Sequence, residues 1–144
     1  MNDSTPADPT DATAPPFDPA GLRVVVADDE EDIRRLTVFT LRRRGITILE
    51  ADAGDVALEM IRRELPDLVV LDVMMPGLSG LKVAEAMLQD PATARIPIIM
   101  LSAKGQSAEV DAGLASGATC YLVKPFSPRE LADRVIAMLE DLRC

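Results

Sequence analysis

The sequence predicts an α/β fold in which helices cover both faces of a five-stranded parallel sheet. Three observations predict it. Five short apolar runs recur at intervals of about 20 to 30 residues. Between them, apolar residues fall at helical spacing, so strands and helices alternate along the chain. Finally, acids gather at the carboxyl ends of the first and third runs, Asp28-Asp29 and Asp72, where open α/β sheets place their chemistry.

The elements follow in order. Residues 1–20 hold five of the eleven prolines, four aspartates and no basic residue. Such a segment cannot bury enough surface to offset its ordering entropy, and the expectation is a disordered Pro/Asp-rich tail ahead of a domain over 21–144. The alternative is a docking arm anchored by Phe17. Arg23–Ala27 is the first strand. Ile33, Leu36, Thr37, Thr40 and Leu41 then mark a helix, with Arg42, Arg43 and Arg44 in its last turn and Gly45 closing it. Three cations at a helix C-terminus complement its dipole, and no second basic cluster turns them into a nucleic-acid patch. Ile46–Leu49 is the second strand. Ala57, Met60, Ile61 and Leu65 mark the second helix, stopped by Pro66.

The third strand is Leu68–Leu71, running into Asp72 and the Pro76-Gly77 turn. Four apolar residues bounded by turn signals describe a strand buried on both faces. Leu81, Ala84 and Leu88 mark the third helix. Ile96–Leu101 is the fourth strand, ending at Ser102, with Pro97 near its start. A short helix carrying Val110 and Leu114 ends at Gly117. Cys120–Val123 is the fifth strand, followed by Lys124-Pro125. Ser127-Pro128-Arg129-Glu130 is a capping box with proline at the first helical position, and Leu131, Val135, Met138, Leu139 and Leu142 form the apolar face of the last helix. With right-handed crossovers, five strands take the flavodoxin-like, doubly wound (βα)5 order 2-1-3-4-5, which opens a crevice between strands one and three.

Composition narrows the function. At 144 residues the length is that of one domain, and no apolar run approaches the length of a membrane span. The N-terminus lacks the basic start and apolar core of a secretory signal, so the expected location is cytoplasmic, with no membrane partner. Cys120 and Cys144 are too few for a disulfide framework; Cys120 is expected in the core. A net charge of −9 argues against nucleic acid as a partner. The absence of histidine removes His-ligated zinc and Ser-His-Asp catalysis. No glycine-rich phosphate loop is present, which argues against a nucleotide-binding enzyme. A haloacid-dehalogenase-type phosphatase would want a second acid two residues beyond Asp72, where Met74 stands.

Three carboxylates meeting at one crevice repel one another and raise one another's pKa values, and a hard divalent cation resolves this; few oxygen ligands completed by water suit magnesium. Lys124, ending strand five, reaches toward the same crevice. One ammonium beside a metal and three carboxylates is equipment for handling a phosphoryl group, and Ser102 can donate a hydrogen bond to it.

These residues carry a family resemblance. Over roughly residues 22–142 the chain resembles the receiver domain of two-component response regulators, of the stand-alone, chemotaxis-regulator-like kind. The matching features are Asp28-Asp29 after strand one, Asp72 in LDVMMPGLSG, Ser102 in IIMLSA and Lys124 in YLVKPF. The resemblance implies that Asp72 is phosphorylated by a sensor histidine kinase or histidine phosphotransfer protein. It implies that Asp29, Asp72 and the Met74 carbonyl hold magnesium, with Asp28 acting partly through water. Lys124 would pair with Asp72 and then with its phosphate, and in this family the Lys124-Pro125 bond is commonly cis. Ser102 and Tyr121 would form a switch, reshaping a face built from residues 106–116, strand five and residues 128–142, on which a downstream protein docks. Met74 and Lys104 fall at positions that tune phosphoryl lifetime in this family, and Thr119-Cys120 replace a more usual acidic pair. Glu30, Glu31 and Asp32 read as an acidic first helical turn. No second hydrophobic set follows Cys144, so the expectation is a stand-alone domain, monomeric or dimerising on phosphorylation. It would be no enzyme toward a separate substrate, catalysing only its own phosphorylation and dephosphorylation. The alternative is a phosphorylation-independent pseudo-receiver, a binding module of the same fold; such proteins usually lose the acceptor or the lysine, and both are here.

Overall fold

The computed structural model describes residues 19–103 and 120–141. Nine elements occur among them: β1 (Arg23–Ala27), α1 (Glu31–Arg43), β2 (Thr47–Ala51), α2 (Gly54–Glu64), β3 (Leu68–Asp72), α3 (Gly80–Gln89), β4 (Ile98–Ala103), β5 (Cys120–Lys124) and α4 (Pro128–Asp141). The tail over 1–18, the helix expected around Val110 and Leu114, Lys104, Thr119 and Cys144 lie outside the described residues, as does the burial of Cys120.

The five strands form one sheet in the order β2-β1-β3-β4-β5. Every pairing is parallel, with Ala27 opposite Leu71, and Asp72 opposite Leu101. This is the flavodoxin-like order expected. Side chains alternate across a strand, so β1 supplies both cores. Val24 and Val26 pack with Val38 and Leu41 of α1 and with Leu131, Val135 and Met138 of α4. Val25 and Ala27 face the other way, against Ala57, Leu58 and Ile61 of α2 and Val83, Ala84 and Met87 of α3. Leu68–Leu71 of β3 are completely buried, the two-faced burial that a central parallel strand requires. Each such side chain contributes roughly 1.5–3 kcal/mol by leaving water.

Several elements are shifted from their sequence reading. β2 starts at Thr47 rather than Ile46, and β4 starts at Ile98, after Pro97, because proline cannot donate to a ladder between two neighbours. In place of the residue read as ending the fourth strand, Ser102 lies inside β4, opposite Val123. Leu36, Leu65 and Leu88, assigned to apolar helical faces, are exposed, while Val38, Leu58, Val83 and Met87 fill the core. Helical spacing alone leaves the phase of a wide apolar stripe uncertain by one position, and the sheet decides it. Leu65 adopts a left-handed conformation (φ 47°) as the cap of α2, which turns its side chain away from the helix face. The capping box is confirmed at its serine: Ser127 Oγ accepts a hydrogen bond from the Glu130 N–H at 2.9 Å.

Candidate functional site

β1 and β3 lie side by side, but α1 leaves β1 toward one face of the sheet and α3 leaves β3 toward the other. The crevice this opens holds Asp28, Asp29 and Asp72, whose carboxylate oxygens lie within 4.8 Å of one another. Asp28 and Asp72 are buried and Asp29 is exposed. The three acids read from the sequence therefore do converge, at the strand ends where they were expected.

Local backbone contacts fix them. The Asp28 N–H donates to the Ala51 carbonyl at 3.1 Å, the Glu30 N–H donates to Asp28 Oδ1 at 2.9 Å, and the Arg34 guanidinium donates to the Asp28 carbonyl at 2.8 Å. Asp72 is held by the start of α3. A Cβ on Gly80 would stand 2.2 Å from the Asp72 carbonyl oxygen, so only glycine lets the helix come this close, and the Gly80 N–H donates to the Val73 carbonyl at 2.8 Å. Gly54 does the same for the loop carrying Met74: its N–H donates to the Pro76 carbonyl at 2.9 Å, and a Cβ there would overlap the Leu78 carbonyl. Met74 itself projects outward, exposed.

Lys124 ends β5 and crosses the mouth of the crevice. Its Nζ stands 3.2 Å from Asp72 Oδ2 and 3.2 Å from Asp28 Oδ2, and it also donates to Glu30 Oε1. The approach to Asp28 Oδ2 is an ion pair without hydrogen-bond alignment, and that buried oxygen has no hydrogen-bond partner among the described residues. The Lys124-Pro125 peptide is cis. Burial opposes the Lys124 charge, but the Glu30 hydrogen bond and the charges of Asp28 and Asp72 outweigh it and hold the ammonium above its ordinary pKa. Asp72 moves the other way: burial, reinforced by the Asp28 charge and partly offset by Lys124, pushes its carboxyl up to about 7.

Glu30 is the residue the sequence reading placed elsewhere. Glu31 and Asp32 do lie in the first turn of α1, but Glu30 is the N-cap, and its carboxylate turns to Lys124. The signal was its place directly after Asp28-Asp29, on the rim of the crevice. Ser102 Oγ is fully buried and has no hydrogen-bond partner among the described residues. A buried hydroxyl ordinarily finds one, so an unpaired hydroxyl at this end of β4 calls for an explanation. Tyr121, three residues before Lys124 on β5, is 39% exposed.

The donor set fits a hard divalent cation: every candidate ligand is oxygen, one of the buried oxygens lacks a hydrogen bond, and the cluster holds Asp72 against ionisation. None of the described helices is long and apolar enough to cross a membrane.

The family model described as "Response regulator receiver domain" matches residues 24–136. Among relatives, the phosphate regulon transcriptional regulatory protein PhoB of Rhizobium meliloti is 44% identical over 117 residues, 81% of this chain and 52% of that protein. PhoB of Pseudomonas aeruginosa is 43% identical over 119 residues, 83% of this chain and 52% of that protein. The chain thus spans about half the length of these relatives. Among solved structures, a response regulator from Chloroflexus aurantiacus superposes with a TM-score of 0.78 at 35% identity, covering 83% of this chain and 98% of that one. The chemotaxis response regulator CheY4 of Vibrio cholerae does so with a TM-score of 0.74 at 30% identity, covering 82% of this chain and 98% of that one. Sheet order, converging acids and family match agree: the chain belongs to the receiver domains of two-component response regulators.

Proposed function

We propose that Asp72 is the phosphoacceptor of this receiver and that its phosphorylation switches protein–protein contacts. One observation carries the reading: Asp72 closes the central strand β3 with the Lys124 ammonium 3.2 Å from its carboxylate and a second buried acid, Asp28, beside it. In the reaction, an Asp72 carboxylate oxygen attacks the phosphorus of a phosphohistidine on a sensor kinase or phosphotransfer protein. An O–P bond forms, the P–N bond breaks, and its electron pair leaves with the imidazole. Asp28, Asp29 and Asp72, with the Met74 carbonyl, would hold magnesium, whose chemistry is to neutralise the phosphoryl oxygens. Lys124 neutralises further charge on the transferred group, and Ser102 gives its hydroxyl, unpaired among the described residues, to a phosphate oxygen. Hydrolysis of the acyl phosphate resets the site, so the protein acts on its own carboxylate and on no separate substrate.

The reading places these residues in the cytoplasm, as a stand-alone switch with a tail over 1–20. Its partner surface would be β5, the C-terminal helix and residues 106–116, and it would make no nucleic-acid contact of its own. Half-length coverage of relatives named transcriptional regulators favours a second reading, in which the same switch forms the input half of a longer regulator. The mass of the protein isolated from its own cells separates the two.

Acetyl phosphate with magnesium should add one phosphoryl group per chain, visible in the intact mass. Asp72→Asn should abolish the addition. Equal labelling of that variant, or undiminished labelling in excess chelator, removes Asp72 and its metal from the account.

A further inference from the structure

The outer face of α1 carries a basic and aromatic patch that the phosphorylation site does not use. Phe39 is its centre and is 58% exposed. At helical spacing around it stand Arg35 and Leu36 one turn before, and Arg42 and Arg43 one turn after. The Arg43 guanidinium lies 5.7 Å from the ring centroid. Phe39 and the three arginines, with Val38 and Glu50, line a concavity of about 320 Å³. Its charges are unbalanced. Arg35 pairs with Glu31, and Arg42 approaches Glu50 at 3.8 Å, but Arg43 has no carboxylate partner among the described residues. The helix dipole accounts for cations in the last turn. It does not account for Arg35, about two turns earlier, or for an exposed phenylalanine between the arginines.

The chain itself supplies a complementary segment. Residues 1–18 carry Asp3, Asp8, Asp11 and Asp18 and no lysine or arginine. Pro19, to which they are joined, lies at one end of this face: its Cγ is 3.9 Å from where a Cβ on Gly45 would sit, and Gly45 follows the arginine-rich end of α1. Arg35 is about 15 Å up the helix from Gly45. Extended chain from Pro19 back to Asp11 reaches up to roughly 26 Å, enough to pass Arg42, Arg43 and Arg35 in turn.

We propose that residues 1–18 dock along the outer face of α1, setting Asp8, Asp11 and Asp18 against Arg35, Arg42 and Arg43 and covering Phe39. The acidic segment is then an intramolecular cover for a basic face, displaced by salt or by a competing acidic partner. Contacts of this kind are electrostatic and exposed, so they weaken as the screening length falls from about 10 Å at 0.1 M salt to about 3 Å at 1 M.

The test uses the full chain and its amide NMR spectrum. Full chain carrying Asp8→Asn, Asp11→Asn and Asp18→Asn is compared with the wild type at low salt. The expected result is a set of shifts confined to residues 35–43, independent of protein concentration, with the two spectra converging on α1 at about 1 M salt. In the reciprocal variant, Arg42→Glu with Arg43→Glu, signals of residues 8–18 should move and lose their salt dependence. Arg42 and Arg43 are exposed, and an unchanged melting temperature shows that each variant is folded. Silent α1 signals in the first variant, or unmoved tail signals in the second, overturn the proposal. Shifts that scale with protein concentration also overturn it, since a second copy would then be what covers the face.

Discussion

The Lys124 ammonium stands 3.2 Å from Asp72 Oδ2, although 52 residues of chain separate the two. β4 lies between their strands in the sheet, so the contact depends on a long side chain reaching back over the strand ends. That one cation partly offsets the cost of burying Asp72 beside Asp28. Replacing Lys124 with methionine keeps most of the apolar stem and removes the charge. Removing one partner of a buried ion pair typically costs about 3–5 kcal/mol. Lys124 retains some exposure, so the lower end is expected. Thermal melts without divalent cation at neutral pH should show the loss, and Asp28→Asn in the same background should recover part of it.

The raised pKa of Asp72 makes stability depend on pH in a defined direction. The folded protein holds this proton up to about pH 7, whereas the unfolded chain releases it near the ordinary value of 3.8. Across that window the native state binds more protons than the unfolded state, so stability falls as pH rises. The Lys124 shift lies above 10.5 and does not enter the window. Melting temperature in chelator should therefore drop between about pH 4 and about pH 7 more steeply in the wild type than in Asp72→Asn. Excess magnesium should flatten the wild-type curve, because it binds the ionised cluster. Identical slopes in the two proteins would mean that Asp72 titrates normally.

Gly80 tests how tightly α3 is seated on the site. A methyl group there would stand 2.2 Å from the Asp72 carbonyl oxygen and 3.1 Å from Met100 Sδ. The oxygen belongs to the backbone of the central strand and cannot swing aside. Gly80→Ala should cost about 1–3 kcal/mol or more through overpacking. Because the displaced atoms belong to Asp72, labelling by acetyl phosphate should slow as well. Differential scanning calorimetry and a labelling time course measure the two effects separately.

Ser102 offers the opposite case. Its buried hydroxyl has no partner among the described residues, so Ser102→Ala forfeits no hydrogen bond to any of them and should change stability by less than about 1 kcal/mol. It should still accept a phosphoryl group on Asp72. Its loss should appear only in the response that follows.

Tyr121 reports that response. It is the only tyrosine of a chain without tryptophan, and it is partly exposed in the resting protein. A phosphoryl group adds about −1.5 to −2 charges and three acceptor oxygens at Asp72. If Ser102 and Lys124 move toward it, space opens beside β5 and the ring turns inward. Beryllofluoride with magnesium should therefore reduce iodide quenching of the intrinsic fluorescence. Ser102→Ala should blunt the reduction, and Asp72→Asn should eliminate it. Unchanged quenching in the wild type would leave Tyr121 outside the switch.

The sequence by itself determined the sheet and the acids. A strand apolar at every position, Leu68–Leu71, can lie only at the centre of a covered parallel sheet. Alternation with helices then puts Asp28, Asp29 and Asp72 at one set of strand ends. Those are consequences of period and order, which a linear chain displays. Tertiary structure decided what depends on rotation and reach. Whether Val38 or Leu36 enters the core is a matter of some tens of degrees about the axis of α1, set by the strands beneath it. That Glu30 turns to Lys124 rather than to its own helix, that Ser102 Oγ is sealed without a partner among the described residues, and that Gly80 must lack a side chain are facts of contact across the sheet. Burial, reinforced by the Asp28 charge, raises the pKa of Asp72 toward neutrality, and burial is a property of neighbours that are distant in sequence.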